Sequence, residues 1–157
     1  HVARGALEEA RRAIQSLRPH LLDSAGLPEA LRAAAERLFA GSGMELEFSF
    51  EGSTLRLASH LERELFYIGQ EAMTNVLRHS GATKVQCKLC MEEQELSLHV
   101  ADNGHGLSPG QASDRSMGLS TMRERAQRIG ALVNIESKPG EGMAVRVRLP
   151  LGAAASA

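Results

Sequence analysis

The segment QEAMTNVLRHSGATK, residues 70–84, indicates the fold because it reads as the end of a helix that runs into a strand. Projected at about 100° per residue, a helix over 61–79 has a broad apolar face. Asn75 borders that face, and Glu71, Arg78 and His79 lie on the strip beyond it. The apolar face consists of Leu61, Leu65, Phe66, Ile68, Gly69, Ala72, Met73, Val76 and Leu77. Four polar groups along the edge of a buried surface form either a solvated helix face or one wall of a polar site.

The next informative segment is LSLHVADNGHGL, residues 96–107, which predicts a strand followed by a glycine-rich turn. Its apolar side chains at alternate positions point inward, and Asp102 has the same parity. A buried carboxylate must find hydrogen-bond donors. One interpretation is that Asp102 caps its own turn. The other is a ligand with an exocyclic amino group, such as adenine, because Gly104 and Gly106 let a backbone approach a ligand closely. Guanine would place an acceptor oxygen against the carboxylate and be rejected.

Length and composition are those of one folded domain with a sizeable core. The chain has 157 residues, of which 43% are hydrophobic and 24% charged. A formal net charge of -1 argues against a dedicated surface for nucleic acid. No apolar run reaches the roughly 20 residues that span a bilayer. We therefore expect a cytoplasmic or cytoplasm-facing segment that binds no nucleic acid directly, whether or not a longer parent protein is anchored in a membrane.

The two cysteines form a CxxC pattern, Cys87 and Cys90, which suggests a redox or zinc site at first sight. However, the surrounding residues TKVQCKLCM alternate as those of a half-buried strand do. Three residues along a strand reverse the face, so the two sulfur atoms should point in opposite directions. The sequence therefore predicts two structural thiols rather than a metal site.

The remaining pattern predicts helices packed on one sheet. Helical residues 7–17 and 28–41 come first, and a short third helix begins at Gly118. Strands are expected at 44–50, 83–91, 95–101, 131–137 and 143–150, and polar turns join the last four into two hairpins. A loop covers 103–116. These elements predict an α/β protein, a two-layer sandwich in which helices cover a mixed, largely antiparallel sheet.

Four motifs, in this order and spacing, resemble those of a known family. They are EAMTNVLRHSGA, DNGHGL, MGLSTMRERAQRIGA and PGEGMAVRVRLP. They are similar to the catalytic, ATP-binding domain of sensor histidine kinases, whose Bergerat fold also occurs in gyrase, mismatch-repair and chaperone ATPases. Within that family the chain resembles the subfamily of nitrate sensors and desaturase-regulating thermosensor kinases. The resemblance implies an ATP-binding domain over 20–150, preceded at 1–19 by the end of a dimerisation and phosphoacceptor region and followed at 151–157 by a flexible tail.

The resemblance implies ATP and Mg²⁺ as cofactors and assigns roles to the polar strip of the long helix. Asn75 would bind Mg²⁺ through its amide oxygen, as a hard cation requires. Glu71 would orient metal-bound water or assist the phosphoacceptor, which makes both residues candidate catalytic and metal-binding groups. Arg78 and His79, one turn further, would contact phosphate oxygens.

Glycine-rich motifs bind the nucleotide in this family. Asp102, Gly104 and Gly106 match the DxGxG pattern, in which the aspartate reads the adenine amino group. Gly140 and Gly142 resemble the late glycine turn of the family.

A mobile lid over 107–117 and a phosphate-binding helix are also implied. Leu107 is the first residue of this lid and is also counted among the implied nucleotide-binding residues. The phosphate-binding element is Gly118 with Leu119 and Met122, at the start of a helix whose N–H groups can receive phosphate. An aromatic box in the lid and a second glycine beside Gly118 are absent.

The implied reaction transfers the γ-phosphoryl group of Mg-ATP to a histidine, for relay to a response regulator with a helix-turn-helix. The acceptor histidine of the family is usually followed by an acidic residue, and none of the six histidines here is. We therefore expect the acceptor upstream of this chain, in helices that form a homodimer in the full-length protein. Alone, the chain is expected to bind ATP without phosphorylating itself.

Two other functions remain open at this stage. An anti-sigma-factor serine kinase shares the fold, but it begins directly with its ATP-binding domain, whereas EARRAIQSLRP precedes the domain here. A catalytically silent nucleotide-binding module is the third interpretation. The presence of Glu71, Asn75 and a complete DxGxG pattern argues against it.

Overall fold

The computed structural model describes residues 21–53, 55–107 and 112–152. The helix expected at 7–17, the segment 1–19 and residues 153–157 of the expected tail lie outside these ranges. Residues 21–25 are helical. The elements that follow are α1 (Leu27–Phe39), β1 (Glu45–Gly52), α2 (Ser59–Asn75), β2 (Lys84–Met91), β3 (Glu95–Asp102), α3 (Ala112–Arg128), β4 (Leu132–Ser137) and β5 (Met143–Pro150).

One five-stranded sheet has the strand order β1-β2-β3-β5-β4. β1 pairs with β2 in parallel, whereas β2 with β3, β3 with β5 and β4 with β5 are antiparallel. The parallel pair is possible because α2 forms the crossover between β1 and β2. Both expected hairpins and the mixed, largely antiparallel sheet are therefore confirmed.

Rows of inward-facing side chains cross the sheet. One row consists of Cys87, Val100 and Val145 on β2, β3 and β5, all buried. In the same register, Asp102 pairs with Val85 on one side and Met143 on the other, and both neighbours are buried. Asp102 thus continues the inward row of β3, as its parity predicted.

Three helices cover that face of the sheet, with α2 between α1 and α3. Every residue assigned to the apolar face of α2 and its extension is buried, except Leu77, which is half-buried. At Gly69 the helix packs closely, since an added Cβ would lie 2.7 Å from Leu31 Cδ2 and 3.3 Å from Leu98 Cδ2. α2 is therefore the central helix of the core.

The other face of the sheet is polar. Lys84 Nζ lies 3.2 Å from Glu47 Oε2, and Lys88 Nζ lies 3.3 Å from Glu51 Oε1. This charged face and the helix-covered face confirm the predicted two-layer α/β sandwich. Among the helices of the described ranges, none combines the length and apolar character needed to cross a membrane.

The two cysteines lie on opposite faces of β2, as predicted. Cys87 is buried in the core and Cys90 is half-buried on the polar face. Burial raises the pKa of the Cys87 thiol to about 12. Residues 21–53, 55–107 and 112–152 contain no cluster of three or more His, Cys, Asp or Glu side chains that could hold a metal ion.

Two element boundaries differ from the sequence-based prediction. α3 begins at Ala112, not at Gly118, so the loop predicted over 103–116 is too long. The Ser and Asp residues of that stretch suggested a loop, but Ser and Asp also suit the first turn of a helix, where free N–H groups and the helix dipole favour them.

The second difference is at the end of the long helix. Regular α-helix stops at Asn75, and Val76–Ser80 form a π-helical turn. Ser80 Oγ donates to the Val76 carbonyl at 2.6 Å and accepts from the Ala82 N–H at 3.0 Å. Gly81, with φ 62°, then ends the helix. Side chains in this turn are consequently displaced from the positions that an α-helical projection predicts.

Candidate nucleotide-binding site

The carboxylate of Asp102, at the end of β3, has two different environments. Oδ1 accepts a hydrogen bond from the Gly104 N–H at 2.8 Å, which caps the turn. Oδ2 is buried and has no hydrogen-bond partner among the described residues. A buried carboxylate oxygen without a donor is unfavourable. The two interpretations drawn from the sequence therefore both fit this residue, one at each oxygen: a turn cap at Oδ1, and an acceptor ready for a ligand at Oδ2.

The DxGxG loop packs against the π-helical turn through its first glycine. A Cβ on Gly104 would overlap the carbonyl oxygen of Ser80. The same carbonyl accepts a hydrogen bond from the His105 N–H at 2.9 Å. Gly104 is thus required by close contact with the protein's own backbone, which connects the loop to the end of the helix carrying Glu71 and Asn75.

The turn between β4 and β5 supports the loop from the other side. The Gly140 N–H donates to the His105 carbonyl at 2.7 Å, and a Cβ on Gly142 would overlap the Asp102 carbonyl oxygen. Gly106 has a φ of 71°, a conformation that favours glycine. The late glycine turn therefore holds the DxGxG loop in place.

Two serines that the sequence did not single out complete this support. Ser80 is fully buried and provides the carbonyl on which Gly104 rests. Ser137 Oγ accepts a hydrogen bond from the Leu107 N–H at 2.7 Å and so holds the first residue of the expected lid. A serine before a glycine at a helix end is a weak signal for Ser80. No local signal marks Ser137, because its partner is 30 residues away.

Glu71 and Asn75 lie where α3 passes over α2. Asn75 is 3% exposed, and its Nδ2 has no hydrogen-bond partner in the part of the chain described. An added Cβ on Gly118 would lie 2.9 Å from Glu71 Oε1, 3.0 Å from Asn75 Nδ2 and 3.1 Å from Asn75 Oδ1. The structure thus brings three predicted site residues together, and the absence of a side chain at Gly118 permits the approach.

The predicted location of Gly118 at a helix start is wrong. α3 begins six residues earlier, and the N–H groups left free at a helix start belong to its first four residues. Gly118 is therefore an approach point between two helices rather than a terminal N–H donor. Leu119 and Met122 are buried in the hydrophobic core, and their contact with a nucleotide stays a prediction.

Arg78 and His79 both lie in the π-helical turn. Arg78 is exposed and His79 is half-buried. They therefore continue the polar strip only approximately, because the turn changes their angular positions. Their contact with phosphate stays a prediction.

A groove of about 280 Å³ opens at the end of β3, β4 and β5. Its lining includes Asp102, Ser137, Lys138, Gly142 and Met143. Glu71, Asn75 and Gly118 do not line it. The groove is thus distinct from the contact between α2 and α3.

Comparison with protein families identifies this arrangement. The family described as "Histidine kinase-, DNA gyrase B-, and HSP90-like ATPase" matches residues 60–153. That range begins within α2 and includes the DxGxG loop, α3 and the strands β2 to β5.

Curated relatives are sensor kinases. Sensor histidine kinase LiaS of Bacillus subtilis is 34% identical over 151 residues, which are 96% of this chain and 41% of that protein. Sensor protein VraS of Staphylococcus epidermidis is 45% identical over 91 residues, 58% of this chain and 26% of that protein. Sensor histidine kinase MctS of Rhizobium johnstonii is 35% identical over 136 residues, 85% of this chain and 30% of that protein. The chain thus spans less than half the length of each of these relatives.

Solved structures share the fold. The histidine kinase domain of the Erythrobacter litoralis EL346 blue-light activated histidine kinase superposes with a TM-score of 0.75 at 20% identity, over 93% of this chain and 75% of that one. Full-length ShkA in complex with AMPPNP gives a TM-score of 0.64 at 20% identity, over 76% of this chain and 29% of that one. The chain therefore belongs to the family of histidine kinase-, DNA gyrase B- and HSP90-like ATPases, and its relatives identify it as an ATP-binding domain of the sensor histidine kinase type.

Proposed function

We propose that this chain is the kinase domain of a two-component sensor, of the subfamily that includes the nitrate sensors and the desaturase-regulating thermosensor kinases. It transfers the γ-phosphoryl group of Mg-ATP to a histidine in a dimerisation domain outside the chain. The observation that carries the proposal is the buried Oδ2 of Asp102, an acceptor for which the described residues provide no donor, at the end of a strand in an ATPase fold.

Adenine fits this carboxylate. The Gly104 N–H holds Oδ1 and so fixes the orientation of the group. Oδ2 is then left to accept a hydrogen bond from the adenine amino group. A guanine oxygen at the same place is also a hydrogen-bond acceptor. It would repel Oδ2, and the buried carboxylate would stay unpaired. Asp102 therefore selects ATP over GTP.

The groups near Gly118 fit Mg²⁺ and phosphate. Glu71 and Asn75 offer carboxylate and amide oxygens, the ligand atoms that Mg²⁺ prefers. Mg²⁺ in such enzymes is bound by one or two protein groups together with phosphate oxygens and water, and when bound it neutralises charge on the phosphates. Asn75 would hold the ion and Glu71 would orient its water or assist the acceptor histidine. The exposed Arg78 and the neighbouring His79 would meet the phosphate oxygens.

The partners follow from the proposed reaction. The phosphorylated histidine would pass its phosphoryl group to a response regulator of the helix-turn-helix type. Upstream helices would make the full-length protein a homodimer and would present the acceptor histidine to this domain. The reaction requires cytoplasmic ATP, so we propose a cytoplasmic location for the domain, with or without a membrane anchor elsewhere in the protein.

Asp102→Asn tests the proposal. The replacement can keep an oxygen for the Gly104 N–H, but it presents an amide donor to the adenine amino group in place of an acceptor. We expect the affinity for Mg-ATP, measured by calorimetry, to fall by roughly 100-fold, the value of one hydrogen bond to a charged group.

Asp23→Asn is the matched control, because the side chain of Asp23 is exposed. It should bind Mg-ATP as the parent chain does. Both variants should keep the parent circular-dichroism spectrum. Unchanged affinity in Asp102→Asn would refute the role of this residue, and a parent chain that binds no nucleotide would refute the proposed function.

A longer protein that includes the upstream helix pair separates histidine from serine chemistry. Phosphohistidine is acid-labile, whereas phosphoserine survives acid. We expect labelled ATP to yield acid-labile protein phosphate. Acid-stable phosphate would instead support a serine kinase of the anti-sigma-factor type, and no phosphate at all would support a silent nucleotide-binding module.

A further inference from the structure

Arg125 of α3 makes two contacts with α2 that no sequence motif predicted. Its Nη1 lies 3.1 Å from Glu64 Oε1, and its Cζ lies 4.0 Å from the centroid of the Tyr67 ring. The side chains of Arg125 and Glu64 are only 25% and 15% exposed. A charge-assisted hydrogen bond shielded from water to this extent is stronger than one on the open surface.

Arg128 provides an internal comparison one turn further along α3. Its Nη1 lies 3.6 Å from Glu64 Oε2, and its side chain is 63% exposed. Exposed pairs at such a distance contribute little. Of the two arginines that Glu64 meets on α3, Arg125 therefore makes the stronger contact.

The contacts define how the two helices are aligned. Glu64 meets Arg125, and Glu71 lies beside Gly118. In each helix these two positions are seven residues apart, about two turns. The helices are thus antiparallel, and the two contacts lie along one line. Because α-helices are stiff, any slip of α3 at Arg125 also moves Gly118 relative to Glu71 and Asn75.

We propose that Arg125 is a positioning residue for the metal and phosphate end of the nucleotide site. Through Glu64 and Tyr67 it sets the position of α3 along α2, and thereby the distance between the Gly118 backbone and the side chain of Asn75. The inference rests on the proposed function, since it takes Asn75 as the residue that meets Mg²⁺. Asp102 is on another element, so the adenine end of the site does not depend on Arg125.

The test compares ADP binding with and without Mg²⁺ in Arg125→Met, a change that keeps the apolar stem and removes the charge. Binding of ADP without Mg²⁺ should stay as in the parent chain, because Asp102 is untouched. The gain in affinity on adding Mg²⁺ should fall by about fivefold or more. The matched control is Arg123→Met, the same change at an exposed position of α3, which should keep the full gain.

Two further variants separate positioning from general destabilisation. Glu64→Gln should lose the same part of the Mg²⁺-dependent gain, and combining it with Arg125→Met should cause no further loss. Arg125→Lys, which keeps the charge, should restore part of the gain. If Mg²⁺ raises the ADP affinity of Arg125→Met as much as that of Arg123→Met, the inference is overturned. It is also overturned if Arg125→Met loses metal-free ADP binding as well as the Mg²⁺-dependent gain. Failure of the parent chain to bind ADP at all would refute the proposed function instead.

Discussion

Asp102 caps a turn through one carboxylate oxygen, and we propose that its other oxygen binds the ligand. The Gly104 N–H occupies Oδ1, and this bond keeps Oδ2 directed into the protein, where it has no partner among the described residues. Burying Oδ2 without a donor is unfavourable, and a ligand that supplies the donor removes this cost.

Glycines in the site are required by close contacts, with backbone atoms at two positions and with side chains at a third. At Gly104 and Gly142 an added Cβ would overlap a carbonyl oxygen, and a backbone atom cannot move aside as a side chain can. At Gly118 the nearest atoms belong to the side chains of Glu71 and Asn75. We therefore expect substitutions at the first two positions to affect stability and substitutions at Gly118 to affect binding.

Gly104→Ala is the residue-scale prediction. The new methyl group would displace the loop from the Ser80 carbonyl and break the hydrogen bond from the His105 N–H. We expect the free energy of unfolding, measured by chemical denaturation, to fall by about 2 kcal/mol or more.

The matched control is Gly152→Ala, because, apart from its chain neighbours, no atom of the described residues lies within 4 Å of a Cβ placed at Gly152. Its unfolding free energy should stay within about 0.5 kcal/mol of the parent value. Equal stabilities of the two variants would show that the loop can relax around the added methyl group.

The strands and helices determine where the two thiols and the candidate site residues lie. β2 alternates strictly, so its CxxC pattern separates the two thiols onto opposite faces. α2 carries Glu71 and Asn75 towards α3 and ends in a π-helical turn that meets the DxGxG loop. An irregular turn at this point fits the general association of π-bulges with functional sites.

Thiol reactivity tests the two faces of β2. Burial raises the pKa of Cys87 to about 12, so its thiolate is scarce at neutral pH and the residue should not react with a disulfide reagent in the folded protein. Cys90 is half-buried; burial and then the neighbouring Glu92 raise its pKa, so it should react slowly.

In Cys90→Ser, no thiol should react until denaturant is added, whereas Cys87→Ala should keep the slow thiol of the parent. Equal reaction rates for the two cysteines in the folded parent chain would contradict the assignment of faces.

Arg56 links a part of the chain that precedes α1 to the start of α2. Its guanidinium donates to the carbonyls of Leu22 and Asp23 at 3.1 and 3.2 Å. It also pairs with the buried Glu62, with Nε 3.1 Å from Oε2. The last carbonyls of a helix need such donors. The helical residues 21–25 are therefore joined to the helix that bears Glu71 and Asn75.

At the scale of the whole molecule, the polar face of the sheet makes stability depend on pH. His99 lies on that face, opposite Lys88 on one side and Arg146 on the other. Burial, and then the positive charges of Arg146 and Lys88, lower its pKa, while Glu136 acts weakly in the other direction. The unfolded chain thus binds a proton at this residue more readily than the folded chain does.

The sign of the effect follows from this difference. Stability should fall as the pH drops through the ordinary histidine pKa of about 6.5 towards the lower folded value. In His99→Gln this contribution is absent, so the loss of unfolding free energy between about pH 7.5 and pH 5.5, measured by chemical denaturation, should be smaller than in the parent chain.

His60→Gln is the matched control, because His60 is exposed. It should keep the parent pH dependence. A pH dependence in His99→Gln as steep as that of the parent would contradict the assignment.

Prediction from the sequence succeeded where structure is periodic. The parity of β3 placed Asp102 inward, the alternation of β2 separated the cysteines, and the projection of the long helix selected its buried face. It was less accurate where local composition is ambiguous. The start of α3 was misplaced because polar residues suit both a loop and a first helical turn, and the π-helical turn left no periodic signal.

The sequence by itself determined which residues face the core, the two-layer architecture and the composition of the motifs, because the spacings of helices and strands are local properties of the backbone. Only the tertiary structure decided that Gly118 rests on Glu71 and Asn75, that Ser137 holds Leu107, and that Arg125 meets Glu64. Those last two contacts join residues 30 and 61 positions apart. They form only when packing brings separate elements together, and no local pattern specifies which side chains then meet.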